Sequence, residues 1–223
     1  VATLVGDRVN SDQLLRWAAS PCNALGPAIL RTVTTLRGSL GLLRYTRSLS
    51  RAQVAPGGWA ASVFDAADRG EISAAEARTM VIDFVAPSLD TTILATAHLL
   101  WLLGQHPEQW QQIRDDPGLI PAAVLEAVRL ASPIRGFTRR LAQDVEIEGS
   151  RLRAGDRVAL LFGAANLDER QFADPTRFDL GRAKTAHLGW GNGPHTCVGI
   201  HLAKLEMRTL LASMVPRVRA IHV

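Results

Sequence analysis

Cysteine is scarce in this 223-residue chain: Cys22 and Cys197 are the only two, 175 positions apart. So sparse a set excludes a disulfide-stapled secreted scaffold. Long apolar runs are lacking as well. Asp83, Asp90 and His98 interrupt the most hydrophobic stretch, so no segment reads as a membrane span. The first twenty residues carry Asp7, Arg8, Asp12 and Arg16, unlike the charged start and apolar middle of a secretory signal, and the expected compartment is the cytoplasm. Charge of one sign is also short. Twenty-five basic against 21 acidic residues leave +4, spread along the chain, too little to argue for nucleic acid as a partner. No internal repeat, low-complexity segment, flavin motif or iron–sulfur motif is present.

What is there is 47% hydrophobic, enough to bury a sizeable core. Helical patterns cover Asp12–Ala19 and Ala24–Ser48. Ser73 with Glu76 forms a capping box that opens a long pattern over 73–103, and Pro87 inside it predicts a kink by removing the partner of the Asp83 carbonyl. His106-Pro107 ends that helix. Shorter helices follow at 108–115 and 121–131. The period then changes: Val145–Glu148 alternates, Gly149-Ser150 turns, and Arg157–Phe162 is rich in valine and leucine, a small β-element. A loop-rich segment over 164–190 precedes a last amphipathic helix, 199–214. The expected fold class is mainly α with a small β-sheet, in one domain.

The densest chemical signal is His187-Leu188-Gly189-Trp190-Gly191-Asn192-Gly193-Pro194-His195-Thr196-Cys197-Val198-Gly199. Glycines at 191, 193 and 199 permit backbone that residues with a Cβ adopt poorly. The loop can fold tightly and aim amide N–H groups at one sulfur, and the helix that follows favours negative charge on Cys197. Zinc held by His195, Cys197 and His201 is a weaker reading, because the spacing matches no common closed site and a fourth ligand is missing. A purely structural turn is the other. Elsewhere, Glu126 and Arg129 stand at i and i+3, which on most helices is surface decoration. The Asp90-Thr91-Thr92 run could be no more than a cap at a helix break.

Together these segments resemble the cytochrome P450 family. The loop follows its haem-binding signature, aromatic-Gly-x-Gly-x-His-x-Cys-x-Gly, with Trp190 in place of the usual phenylalanine. Glu126-Ala127-Val128-Arg129 and Pro175-Thr176-Arg177-Phe178 match its Glu-x-x-Arg and Pro-x-Arg-Phe segments, implying a buried network of Glu126, Arg129 and Arg177. Asp90 and Thr91 match its acid–alcohol pair, with Pro87 and Ser88 replacing a small residue and glycine. The resemblance implies haem b ligated by Cys197, packed by Trp190, Gly191 and Gly199, with Arg139 and His195 at the propionates. Thr91 would steady bound dioxygen, Asp90 would relay protons, and Leu89, Ile93 and Leu94 would wall a small-molecule substrate. The implied activity is a soluble, bacterial-type monooxygenase that takes electrons from a separate ferredoxin or flavodoxin; the alternative is a haem-binding remnant without turnover. Family members are roughly twice this length. A start at Val1 and a stop 26 residues after Cys197 read as this fold truncated at both ends.

Overall fold

The computed structural model describes Trp17 and residues 30–88, 90–182 and 186–223. The expected helix over 12–19 (Trp17 apart), Cys22 and the wall candidate Leu89 lie outside the described residues. The chain divides into two compact units, residues 1–93 and 94–223.

The first unit holds α1 (Leu30–Ser48), a 3₁₀ turn at Arg51–Gln53, α2 (Trp59–Asp68) and α3 (Ala74–Ser88). Ser73 and Glu76 form the expected capping box: the Ser73 N–H donates to the Glu76 carboxylate (2.7 Å) and the Glu76 N–H to the Ser73 hydroxyl (3.2 Å). Ala77, Val81 and Val85 recur every four residues and are wholly buried, so α3 lays a narrow small-residue stripe against α1 and α2. Leu42, Leu49, Val54, Ala60, Ala61 and Val63 complete that core. An Arg51–Asp65 ion pair ties the turn to α2. Along the span of the expected kinked helix, the described residues give α3 and then α4 (Thr91–Gln105), with Pro87 in the last turn of α3.

The stretch Ala74–Gln105 contains an 18-residue window of mean hydropathy 1.3, long and apolar enough to cross a bilayer by length and composition. This corrects the expectation from the sequence, in which isolated charges were given more weight than the average. Mostly buried core helices of soluble proteins pass the same test, whereas 18% of this window is buried. Here one stripe of α3 and one of α4, Ala95, Leu99, Leu102 and Leu103, lie in protein cores.

In the second unit, Pro107 does more than stop α4. It takes the first position of α5 (Pro107–Asp115) behind His106, where its missing N–H has no helical partner to lose. Then comes α6 (Ile120–Ala131), ended by Ser132 at φ 37°, whose N–H donates to the Val128 carbonyl. The apolar face of α6 packs on α8 (Ile200–Met214), which offers Ala203, Met207 and Leu211 at four-residue spacing. Trp110 donates its indole N–H to the Arg219 carbonyl (3.2 Å), fastening the C-terminal segment.

The β-element differs from the expected single sheet. β1 (Phe137–Arg140) pairs antiparallel with β4 (Arg157–Leu160), and β2 (Val145–Ile147) with β3 (Ser150–Leu152), as two separate ladders. Glu148 and Gly149, both at positive φ, make the two-residue hairpin turn, and Ser150 begins a strand instead of finishing the turn. A one-turn helix, α7 (Phe162–Ala165), follows β4.

Candidate functional site

The cysteine loop begins where α6 ends. Arg129 and Glu126 face inward from α6, both wholly buried. Two parallel hydrogen bonds join them, Nε to Oε2 at 2.9 Å and Nη2 to Oε1 at 2.7 Å, the bidentate geometry that makes such pairs strong. The other guanidinium hydrogens go to the carbonyls of Asn166 (2.7 Å), Pro175 (2.7 Å) and Arg177 (3.3 Å), and the ring of Phe172 lies 4.9 Å away.

The second arginine on Glu126 is not Arg177. Its side chain is exposed, while Arg182 places Nε 2.9 Å from Glu126 Oε1 and donates to the carbonyls of Ala173, Asp174 and Arg177. Arg177 contributes only its carbonyl, while the neighbouring Phe178 is the side chain buried there. This corrects the network expected from the sequence.

Asn166 carries the frame to the loop. It is fully buried, donates to the Ser132 hydroxyl (2.8 Å) and accepts from the Leu188 N–H (2.7 Å). The loop therefore starts at a fixed point. His187 next to it accepts the Gly189 N–H on Nδ1 (3.0 Å). Burial, then the charges of Lys204 and Arg129, push its pKa down to about 4, so the ring is neutral at pH 7. The 3₁₀ turn Leu188–Trp190 leads to Gly191 at φ 69°, and a second, Gly193–His195, starts from Gly193 at φ 74°. Thr196 donates both its N–H (3.0 Å) and its hydroxyl (2.8 Å) to the Gly193 carbonyl. The Cys197 N–H returns to the Trp190 carbonyl (2.9 Å), closing an eight-residue ring over which the thiol is held.

Cys197 is a free, exposed thiol, whereas a merely structural cysteine is ordinarily buried. A Cβ on Gly199 would lie 3.8 Å from the sulfur, and one on Gly193 would meet nothing within 4 Å. Trp190 backs the loop with Lys204 5.8 Å over its ring, and its buried indole N–H has no hydrogen-bond partner among the described residues. Arg139 and His195 are both exposed; Arg139 lies over Phe137 at 5.8 Å and donates to the Thr138 carbonyl, with no carboxylate paired to it among the described residues. An accessible soft ligand, a loop left open at Gly193 and the exposed Arg139 and His195 side chains fit a haem. No group of three His, Cys, Asp or Glu side chains suited to a metal ion occurs among the described residues.

The Asp90–Thr91 pair lies in the first unit. Both residues are half-buried, and the Thr91 hydroxyl donates to the Pro87 carbonyl (3.0 Å). Ser88 does the same toward Phe84 (2.6 Å). Thus hydroxyls take over carbonyls at the helix interruption. Ile93 and Leu94, expected to wall substrate, are each 48% exposed.

His187 also makes a pH test. Its folded pKa lies below the ordinary histidine value, so the unfolded chain binds a proton first as pH falls. Stability is therefore full above about pH 6.5 and is lost between there and about pH 4, by about 3 kcal/mol from this residue. His187→Asn keeps an acceptor for Gly189 and is expected to flatten that part of a urea-midpoint profile. An unchanged slope would place the proton uptake elsewhere.

Comparison with known proteins agrees with this geometry. The family model described as Cytochrome P450 matches residues 118–220. "Cytochrome p450 CYP199A2" of Rhodopseudomonas palustris is 35% identical over 213 residues, covering 95% of this chain and 52% of that protein. The "Methyl-branched lipid omega-hydroxylase" of Mycobacterium bovis is 42% identical over 143 residues, 63% of this chain and 33% of its own. Among solved structures, "cytochrome P450 CREJ in complex with (4-ethylphenyl) dihydrogen phosphate" superposes with a TM-score of 0.85 at 30% identity, covering 96% of this chain and 55% of that one. The chain spans about half the length of its full-span curated relatives.

Proposed function

This chain belongs to the cytochrome P450 family, and from that premise we propose that it is the haem-thiolate portion of a cytoplasmic monooxygenase. The reaction is insertion of one oxygen atom of O2 into a C–H bond of a small organic substrate, with electrons from a separate ferredoxin or flavodoxin. The carrying observation is the exposed Cys197 thiol on a loop fixed, through Asn166 and Leu188, to the buried Glu126–Arg129 pair.

The family's cofactor is haem b, and when bound by a thiolate it supplies the activation of dioxygen and cleavage of its O–O bond. Cys197 would hold the iron. Trp190, Gly191 and Gly199 would pack beside the sulfur and leave room for the flat group. Arg139 and His195 would hold the propionates by charge-assisted hydrogen bonds. The Thr91 hydroxyl, already donating to Pro87, keeps oxygen lone pairs with which to accept a proton-bearing partner, and Asp90 is the acid–base group beside it that moves protons from solvent.

The deciding experiment is an absorption spectrum of the purified, haem-supplemented chain, reduced and exposed to carbon monoxide. A strongly red-shifted Soret band is expected. A band of the histidine-ligated type, or no haem uptake, would overturn the haem-thiolate assignment.

A further inference from the structure

We propose that the cleft between α1 and α3 is a second ligand site, one that takes an organic phosphate monoester on Arg47 and Arg78. The inference goes beyond the haem-thiolate reading and does not depend on it. The two helices pack on each other within the first unit. Between them lies a cleft of about 340 Å³, lined by Arg47 from α1 and by Ala75, Arg78, Thr79 and Ile82 from α3. Sites for small ligands run from roughly 300 Å³ upward, so a headgroup with a short stem fits. Positions 75, 78, 79 and 82 follow the spacing of one helical face, opposite the buried stripe of Ala77, Val81 and Val85. The Thr79 hydroxyl donates to the Ala75 carbonyl (3.1 Å), which leaves the two guanidinium groups as the donors of the cleft.

Arg47 and Arg78 are exposed, and neither has an ion pair among the described residues, whereas Arg51 and Arg69 of the same unit each have one. The acids of the unit are engaged elsewhere or stand off the cleft. Asp65 is held by Arg51, Glu71 by Arg69, and Glu76 by the Ser73 N–H; Asp68, Asp83 and Asp90 do not line it. The sequence of α1 brings none, because residues 13–64 contain six arginines and no aspartate or glutamate. Arg37 and Arg44 add positive charge along α1 but do not line the cleft either. Two unpaired cations on one cleft repel each other, and a dianion offsets that repulsion. A phosphate monoester carries about −1.5 to −2 at pH 7 and presents three oxygens to two forked guanidinium groups. A carboxylate would satisfy only one of them. Ala75 and Ile82 supply an apolar wall for an organic stem, from which inorganic phosphate would gain nothing.

Isothermal calorimetry on the haem-supplemented chain tests this with butyl phosphate, butyrate and inorganic phosphate. Wild type is expected to bind butyl phosphate about tenfold or more tightly than either of the others, as two charge-assisted pairs imply. Arg47→Gln with Arg78→Gln should lower butyl phosphate affinity about tenfold or more while leaving the carbon monoxide spectrum and the urea midpoint in place. Arg37→Gln with Arg44→Gln removes the same charge from α1 and should leave butyl phosphate binding unchanged. Flotation with phosphatidylcholine vesicles, with and without phosphatidic acid, then identifies the source. Capture by phosphatidic acid that is lost with Arg47 and Arg78 assigns a lipid headgroup; no capture alongside butyl phosphate binding assigns a soluble phosphate ester. Equal binding of butyl phosphate and butyrate overturns the proposal, as does binding that survives loss of Arg47 and Arg78. Equal loss in both double variants overturns it too, because the effect would then belong to the net charge of the surface. A missing red-shifted band in wild type defeats the haem-thiolate reading and leaves this test standing.

Discussion

Arg129→Met is expected to destabilise the protein by about 3–5 kcal/mol, the usual effect of leaving one charge of a buried pair behind. The methionine stem would still fill much of the space and meet Phe172. The cost arises from what is stranded: the carbonyls of Asn166 and Pro175 lose a donor, and Glu126, wholly buried, keeps only Arg182. A fall in the urea midpoint at unchanged slope measures it. Adding Glu126→Leu to Arg129→Met should cost much less than the sum of the two single changes, because the stranded carboxylate is then gone. Arg177→Ala should stay within about 0.5 kcal/mol, as for exposed side chains generally, while Arg182→Ala falls between. An Arg177 variant as damaging as Arg129→Met would contradict the network described here.

The Arg177 and Arg182 comparison also shows where sequence reading stops. The Glu-x-x-Arg pair was legible because one helix fixes its spacing, and α6 also carries the apolar periodicity that buries it. The third member comes from an irregular segment, where no period says which of two arginines, five residues apart, turns inward. Only tertiary packing reveals it. Asn166 was not legible as a link, because its role lies in bonds to Ser132 and Leu188, 34 and 22 positions away. β1 escaped notice for a different reason. Phe137–Arg140 is exposed along its whole length, so it lacks the apolar alternation that marks a half-buried strand. The helices expected at 108–115, 121–131 and 199–214, by contrast, lie within a residue of Pro107–Asp115, Ile120–Ala131 and Ile200–Met214, since Pro107 acts through local backbone geometry. The tight backbone of the cysteine loop was legible because glycines at fixed offsets are rare outside a loop that needs their conformations, and Gly191 and Gly193 do take positive φ.

Cys197→Ala is expected to separate the ligand from the frame. Its sulfur is exposed, and what holds the loop is the Cys197 N–H on the Trp190 carbonyl, Asn166 on Leu188 and the Gly193 turn, none of which needs the side chain. The urea midpoint should therefore move by no more than about 0.5 kcal/mol. The red-shifted Soret band of the reduced, carbon monoxide-treated protein should vanish outright, because alanine offers the iron no electron pair. The two readouts thus run opposite to those of Arg129→Met, where stability falls first and the spectrum fails only as the loop loses its anchorage. A band that persists in Cys197→Ala would shift ligation to a nearby donor such as His195 or His201. A large loss of stability would mean that the thiol serves the fold, and the exposed sulfur would lose its claim to be the ligand.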